Sequence, residues 1–244
     1  MYNLMKIFVY ENREILGKEA AKFIASAIRK NPKLVLGLIT GETPLECYRE
    51  LVRMCQSGEV DFSQVKTFAL DEYLELPSSH PYSCKSQLLE TLLRYLNIPH
   101  KNMHFLDASS PNPAYACQAY EEEIKKVGGI DLQLLGIGLN GHLGLNEPGS
   151  PFDSRTRIVE LAETTKTYLA RYLGERVPKK GMTMGLGTIM EAREILLMAH
   201  GQAKADIVAK ALKGPVTEDV PASILQRHPA CTVMLDKAAA SRLP

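Results

Sequence analysis

Short apolar runs alternate along the chain with segments whose apolar residues recur every three or four positions. Lys6-Ile7-Phe8-Val9-Tyr10 reads as a first strand, and Leu16, Ala20, Phe23, Ile24, Ala27 and Ile28 then recur at helical spacing. The run 34–39 is a continuous apolar strand, and Leu45, Tyr48, Leu51, Val52 and Cys55 mark the next helix. A third strand spans 65–70 and a helix runs from about Ser83 to Tyr95. Asn112 as cap and Pro113 in the first turn open another helix. A strand at 130–137, a helix near 161–173, a strand at 195–199, a helix near 203–212 and a strand at 232–235 complete the pattern. This alternation predicts an α/β fold, a doubly wound, mostly parallel, Rossmann-like sheet with helices on both faces. Runs that are apolar on both faces are buried on both sides. No internal repeat or linker interrupts the pattern, so a single domain over 1–244 is expected.

In such sheets ligands bind beyond the carboxyl ends of the strands, so each strand end is a place to look for chemistry. After 34–39 comes Thr40-Gly41-Glu42-Thr43-Pro44, with Thr43 as cap and Pro44 as first helical residue. A tight turn into a helix N-terminus offers free amides to an anion such as phosphate; it is equally the form of an ordinary capped helix. After 65–70 come Asp71 and Glu72, either a solvated turn or a carboxylate placed to act as a base. After 130–137 comes a stretch with five glycines, Gly136 to Gly149, that also holds Asn140, His142 and Glu147. Glycine lets a small ligand approach the main chain, and His and Glu can move protons. After 195–199 comes Lys204, in a first helical turn where a cation is disfavoured unless it meets an anion. Arg171 is a second cation of this kind, and a solvated surface charge is the alternative for both. Together these groups suit an enzyme that acts on a small phosphorylated molecule by proton transfer.

Composition narrows the class. The chain is 45% hydrophobic and 23% charged with a net charge of +1, so nothing draws it as a whole to nucleic acid. No apolar run approaches the ~20 residues of a membrane helix, and the N-terminus lacks the parts of a signal peptide. A cytoplasmic location with no membrane partner is expected. The five cysteines include no Cys-x-x-Cys pair and read as small reduced apolar residues. No ligand geometry for a metal is evident, and no metal or organic cofactor is expected.

At these positions the chain resembles the glucosamine-6-phosphate deaminases, also called isomerases, over essentially its whole length. The resemblance rests on Thr40-Gly41 with Thr43-Pro44, on Leu70-Asp71-Glu72-Tyr73, on Asn140-Gly141-His142 and on Asn146-Glu147-Pro148-Gly149. It extends to Ser154-Arg155-Thr156-Arg157, Thr183-Met184-Gly185 and Pro221-Ala222-Ser223. It implies conversion of glucosamine 6-phosphate and water to fructose 6-phosphate and ammonia. His142 is then the ring-opening acid and base, oriented by Glu147 and Asn140, and Asp71 moves a proton between carbon 2 and carbon 1. Thr40, Gly41, Glu42, Thr43, Arg171 and Lys204 would surround the phosphate, with Arg171 on a helical lid near 155–185.

Three departures carry expectations of their own. Asn140 stands where some members have Asp, which removes a carboxylate from beside the imidazole; Asn140→Asp is expected to move the acidic limb of the pH–rate profile upward. Glu42 stands where Gly is expected and would oppose a phosphate unless its side chain points away. Val159-Glu160 replaces a basic residue of the allosteric members, and the chain ends at Pro244 without their longer tail. Hyperbolic kinetics and a monomer or small homo-oligomer are expected. The alternatives are a galactosamine-6-phosphate deaminase, a 6-phosphogluconolactonase, which is not expected to carry the Asn-Glu-Pro-Gly stretch, and a non-catalytic sugar-phosphate sensor.

Overall fold

The computed structural model describes residues 5–174 and 177–243. Its elements are β1 (Lys6–Tyr10), α1 (Arg13–Lys30), β2 (Val35–Leu38), α2 (Leu45–Gln56), β3 (Lys66–Ala69), β4 (Asp71–Tyr73), α3 (Cys84–Thr91) and β5 (Met103–His104). There follow α4 (Pro113–Lys126), β6 (Leu132–Leu135), β7 (Arg157–Glu160), α5 (Glu163–Leu173) and β8 (Lys180–Thr183). The chain closes with α6 (Leu186–Met190), β9 (Glu194–Ala199), α7 (Ala205–Lys213) and β10 (Cys231–Asp236).

Seven strands form one parallel sheet in the order β1-β10-β9-β6-β2-β3-β5. From β2 the chain steps outward to β3 and β5, then returns to lay β6 on the other side of β2 and steps outward to β9 and β10. The direction of winding therefore reverses between β2 and β6, the place where open sheets of this kind bind ligands. Strands β2, β6 and β10 are buried at every position, the polar Gln133, Thr232 and Asp236 included. Gly37 of β2 pairs with Gln133 of β6, and a Cβ there would lie 2.0 Å from the end of the glutamine side chain, which occupies the space glycine leaves.

A second sheet, β4-β8-β7, is antiparallel. The segment near 155–185, expected as a helical lid, holds helix α5 between strands β7 and β8 of this sheet. Leu70 is the pivot between the sheets: its amide bonds Leu38 of the large sheet, and its carbonyl accepts from Met184 beside the small one. Glu121 of α4 anchors the root of the small sheet, accepting from the amide and hydroxyl of Thr156, from Thr188 and from Arg155. Leu145, Leu161 and Leu169 form a small apolar cluster of their own, apart from the main core, with Val159 packed against it. That packing accounts for an apolar residue at 159.

Candidate active site

The turn after β2 departs from its expected capping. Pro44, not Thr43, is the N-cap of α2, and no side chain caps the helix. Gly41 takes a φ of +89°, a left-handed conformation suited to glycine. Among the described residues the amides of Gly41, Glu42 and Thr43 donate to no protein group, so they stay open to a ligand. The Thr43 hydroxyl, released from capping, lies beside Gly136 across the switch point. Thr40, Gly41 and Glu42 line a cavity of about 230 Å³ with Tyr82 and Gln87. Glu42 is exposed on that wall.

Asp71 begins β4, directly after the pivot. Burial pushes its carboxyl up to about 6; the neighbouring Glu72 charge adds to that, while Cys84 and His142 pull against it. His142 is thus close enough for its charge to act on Asp71. The two adjacent carboxylates have separate tasks. Glu72 is buried and caps α3, accepting from the amides of Tyr73, Cys84 and Lys85 at 2.8, 2.8 and 2.9 Å. Cys84, read from sequence as a small apolar residue, sits buried against Asp71, and Thr40 Oγ1 lies 3.8 Å from its Sγ. No sequence signal joins positions 71 and 84; the Glu72 cap brings them together.

The loop after β6 is held by its own backbone and by the small sheet. Gly141 bonds back to Gly138 and Gly138 to His142, closing a tight turn. The His142 ring covers Gly138, where a Cβ would lie 2.3 Å from ring atoms. Asn140 Oδ1 accepts from the His142 amide at 3.2 Å, and its Nδ2 donates to Glu147 Oε2 at 2.6 Å. His142 Nδ1 lies 3.3 Å from the same oxygen, at ion-pair range but out of line for a hydrogen bond. With Nδ1 turned to Glu147, Nε2 is the nitrogen left to a substrate. Burial pushes the Glu147 carboxyl up, but contacts from His142, Asn140 and Thr165 outweigh it and hold it below the ordinary range.

Thr183 bolts the two halves together. It pairs with Asp71 through the strand backbone, and its Oγ1 accepts from Leu145 of the loop at 3.2 Å. Asn146 adds bonds to the Leu143 and Met184 carbonyls and receives Arg157. The structure therefore places Asp71, Asn140, His142 and Glu147 around one site.

Lys204 ends a short 3-10 turn and caps α7, and its Nζ reaches the Ile137 carbonyl at 2.6 Å. Burial lowers its pKa. Arg171 lies exposed on α5, without a protein partner among the described residues, and does not line the cavity at Thr40. Among the described residues no cluster of three or more His, Cys, Asp or Glu could hold a metal ion. No helix of the described chain is long and apolar enough to cross a membrane.

Comparison with known proteins identifies the family and the fold. The model of the family described as glucosamine-6-phosphate isomerases/6-phosphogluconolactonase matches residues 12–234. A glucosamine-6-phosphate deaminase of Thermoanaerobacter pseudethanolicus is 43% identical over 98% of this chain and 96% of its own length. Glucosamine-6-phosphate deaminase 2 of Bacillus subtilis is 46% identical over 98% of each chain. Among solved structures, a monomeric glucosamine-6-phosphate deaminase superposes with a TM-score of 0.94 at 39% identity, over 98% of this chain and 100% of that one. A 6-phosphogluconolactonase of Trypanosoma brucei shares the fold, with a TM-score of 0.82 at 21% identity over 99% of each chain. The chain belongs to the glucosamine-6-phosphate isomerase/6-phosphogluconolactonase family.

Proposed function

We propose that the protein is a glucosamine-6-phosphate deaminase, converting glucosamine 6-phosphate and water to fructose 6-phosphate and ammonia. The observation that carries this reading is the pairing of a half-buried carboxylate, Asp71, with an imidazole backed by a carboxylate, His142 and Glu147, on two sides of the switch point. Ring opening moves a proton from the anomeric hydroxyl to the ring oxygen, and His142 Nε2 serves that exchange while Glu147 and Asn140 set the ring. Asp71, ionised above about pH 6, takes the proton from carbon 2 and returns it to carbon 1. The enolamine becomes an imine, which water hydrolyses to release ammonia. Each proton transfer is worth about 10²–10⁴-fold in rate. The phosphate rests on the open amides of Gly41, Glu42 and Thr43, with Thr40, Lys204 and Arg171 supplying further contacts. Glu147, in the Asn-Glu-Pro-Gly stretch, and relatives 43–46% identical separate this reading from the lactonases. The protein acts in the cytoplasm on a free sugar phosphate, as a monomer or small homo-oligomer.

The test is ammonia release from glucosamine 6-phosphate and from galactosamine 6-phosphate, without added metal. Release from the first, at a higher kcat/KM than from the second, is expected; release from neither overturns the reading.

Glu42 gives a second expected result. Glu42 lines the cavity beside the open amides of Gly41, Glu42 and Thr43, so Glu42→Gln should lower KM about two- to fivefold at low ionic strength and match the parent at high salt. An unchanged KM at low salt shows that the side chain turns away from the phosphate.

Asn140→Asp now has a sharper rationale. The amide donates to Glu147 at 2.6 Å, and a carboxylate there would meet another, so the two would share a proton. The enzyme should stay active with the acidic limb of kcat/KM displaced upward. An unmoved limb refutes the coupling.

A further inference from the structure

The Glu147 carboxylate is divided between two parts of the molecule. Oε2 faces His142 and Asn140 within its own loop. Oε1 accepts from Thr165 Oγ1 at 3.2 Å, and Thr165 lies on α5, the helix between the outer strands of the small sheet. Among the described residues, this is the one side-chain contact to Glu147 from outside the loop. Helix α5 reaches the same loop once more through Leu169, which clusters with Leu145 between His142 and Glu147. Among the described residues that cluster holds three buried side chains and lies apart from the main core. Arg171, exposed and without a protein partner among the described residues, lies on the same helix six residues after Thr165.

We propose that Thr165 is a positioning residue: its hydroxyl fixes the plane of the Glu147 carboxylate and so ties the placement of α5 to the orientation of His142. This rests on the deaminase reading for its consequence. A phosphate that draws Arg171 inward would seat α5, and α5 would set the acid–base pair through Thr165. His142 is the titratable group facing Glu147; Asn140 and Thr165 are neutral donors, and Lys166, next on α5, is paired with Glu163. Loss of the Thr165 donor removes one of the contacts holding the Glu147 carboxyl low, so its titration should move upward.

The experiment compares Thr165→Val, which keeps the branched shape, with Thr165→Ser, which keeps the hydroxyl. With glucosamine 6-phosphate, the valine variant should lose about three- to tenfold in kcat, as expected for one neutral hydrogen bond. KM should stay within about twofold. The serine variant should restore kcat. In the free protein, ¹³C NMR titration of Glu147 should show the upward displacement in the valine variant alone. Parent-like kcat and titration in the valine variant, or equal defects in both variants, overturn the proposal. If the parent enzyme turns over neither amino-sugar phosphate, the deaminase reading fails, and the NMR titration still decides whether Thr165 positions Glu147.

Discussion

Asp71→Asn is expected to lower kcat on glucosamine 6-phosphate by about 10²–10⁴-fold and, at the same time, to stabilise the fold. The amide keeps the shape of the carboxyl but cannot take the carbon 2 proton, so KM should change little. The gain in stability follows from the environment. Burial and the Glu72 charge raise the Asp71 pKa from 3.8 to about 6. Each factor of ten in proton affinity is worth about 1.4 kcal/mol, so the ionised form costs the folded chain roughly 2–3 kcal/mol. The unfolded chain ionises near pH 4 while the folded chain keeps its proton to about pH 6. The parent's stability therefore falls as pH rises through that window, and the loss is complete above it. An asparagine has no such dependence. Denaturation midpoints should show the variant ahead by the full amount at pH 7.5 and by little at pH 4. A variant as active as the parent, or a stability difference that is the same at both pH values, overturns this account of Asp71. The base is thus held at a cost in stability, and the parent's acidic limb of kcat/KM should fall near pH 6.

The large sheet was legible chiefly because its inner strands are buried on both faces and its helices on one, so hydrophobic period separates them; edge strand β5, two residues long, shows no such run. The switch point followed from strand order, which no local pattern reveals. The small sheet escaped the pattern for physical reasons. β4 is three residues long and begins with two carboxylates, β7 is half exposed, and β8 contains Gly181, so none shows the apolar run of a buried strand. Each is held by the others rather than by propensity. Asp71, His142 and Glu147 were legible because they follow apolar strands, where packing gives no reason for them. Asn146 and Thr183 stood in the motifs without a role, and their bonds across 38 residues give them one. Cys84 is the small, reduced, buried residue the sequence suggested, and its contact with Asp71 leaves no mark in the sequence, because a buried thiol looks the same whether it packs in a core or against a carboxylate. Thr43 was misread as a cap because Pro44 takes that place, leaving the hydroxyl free at the switch point.

Gly138→Ala is expected to cost about 10²-fold in kcat, the scale of a misplacement near 1 Å at a reacting group. The glycine is not needed for its backbone, since it has none of the left-handed φ of Gly41, Gly141 or Gly149. It is needed because the His142 ring lies over it, and an added methyl would stand 2.3 Å from the ring. The ring is the free end of a side chain and will swing aside, so the fold should lose less than about 1 kcal/mol while Nε2 leaves its place. The ring would also part from Glu147, whose Oε2 is 3.3 Å from Nδ1. A double-mutant cycle distinguishes this from general damage to the loop. If the methyl acts only through the ring, His142→Gln already contains the whole loss, and adding Gly138→Ala should make it little worse. Additive losses, or an alanine variant whose thermal midpoint collapses with its activity, would show that position 138 serves the loop rather than the imidazole. Near-parental kcat in the alanine variant would remove His142 from the ring-opening step, because the proton exchange assigned to it requires Nε2 where Gly138 now lets it lie.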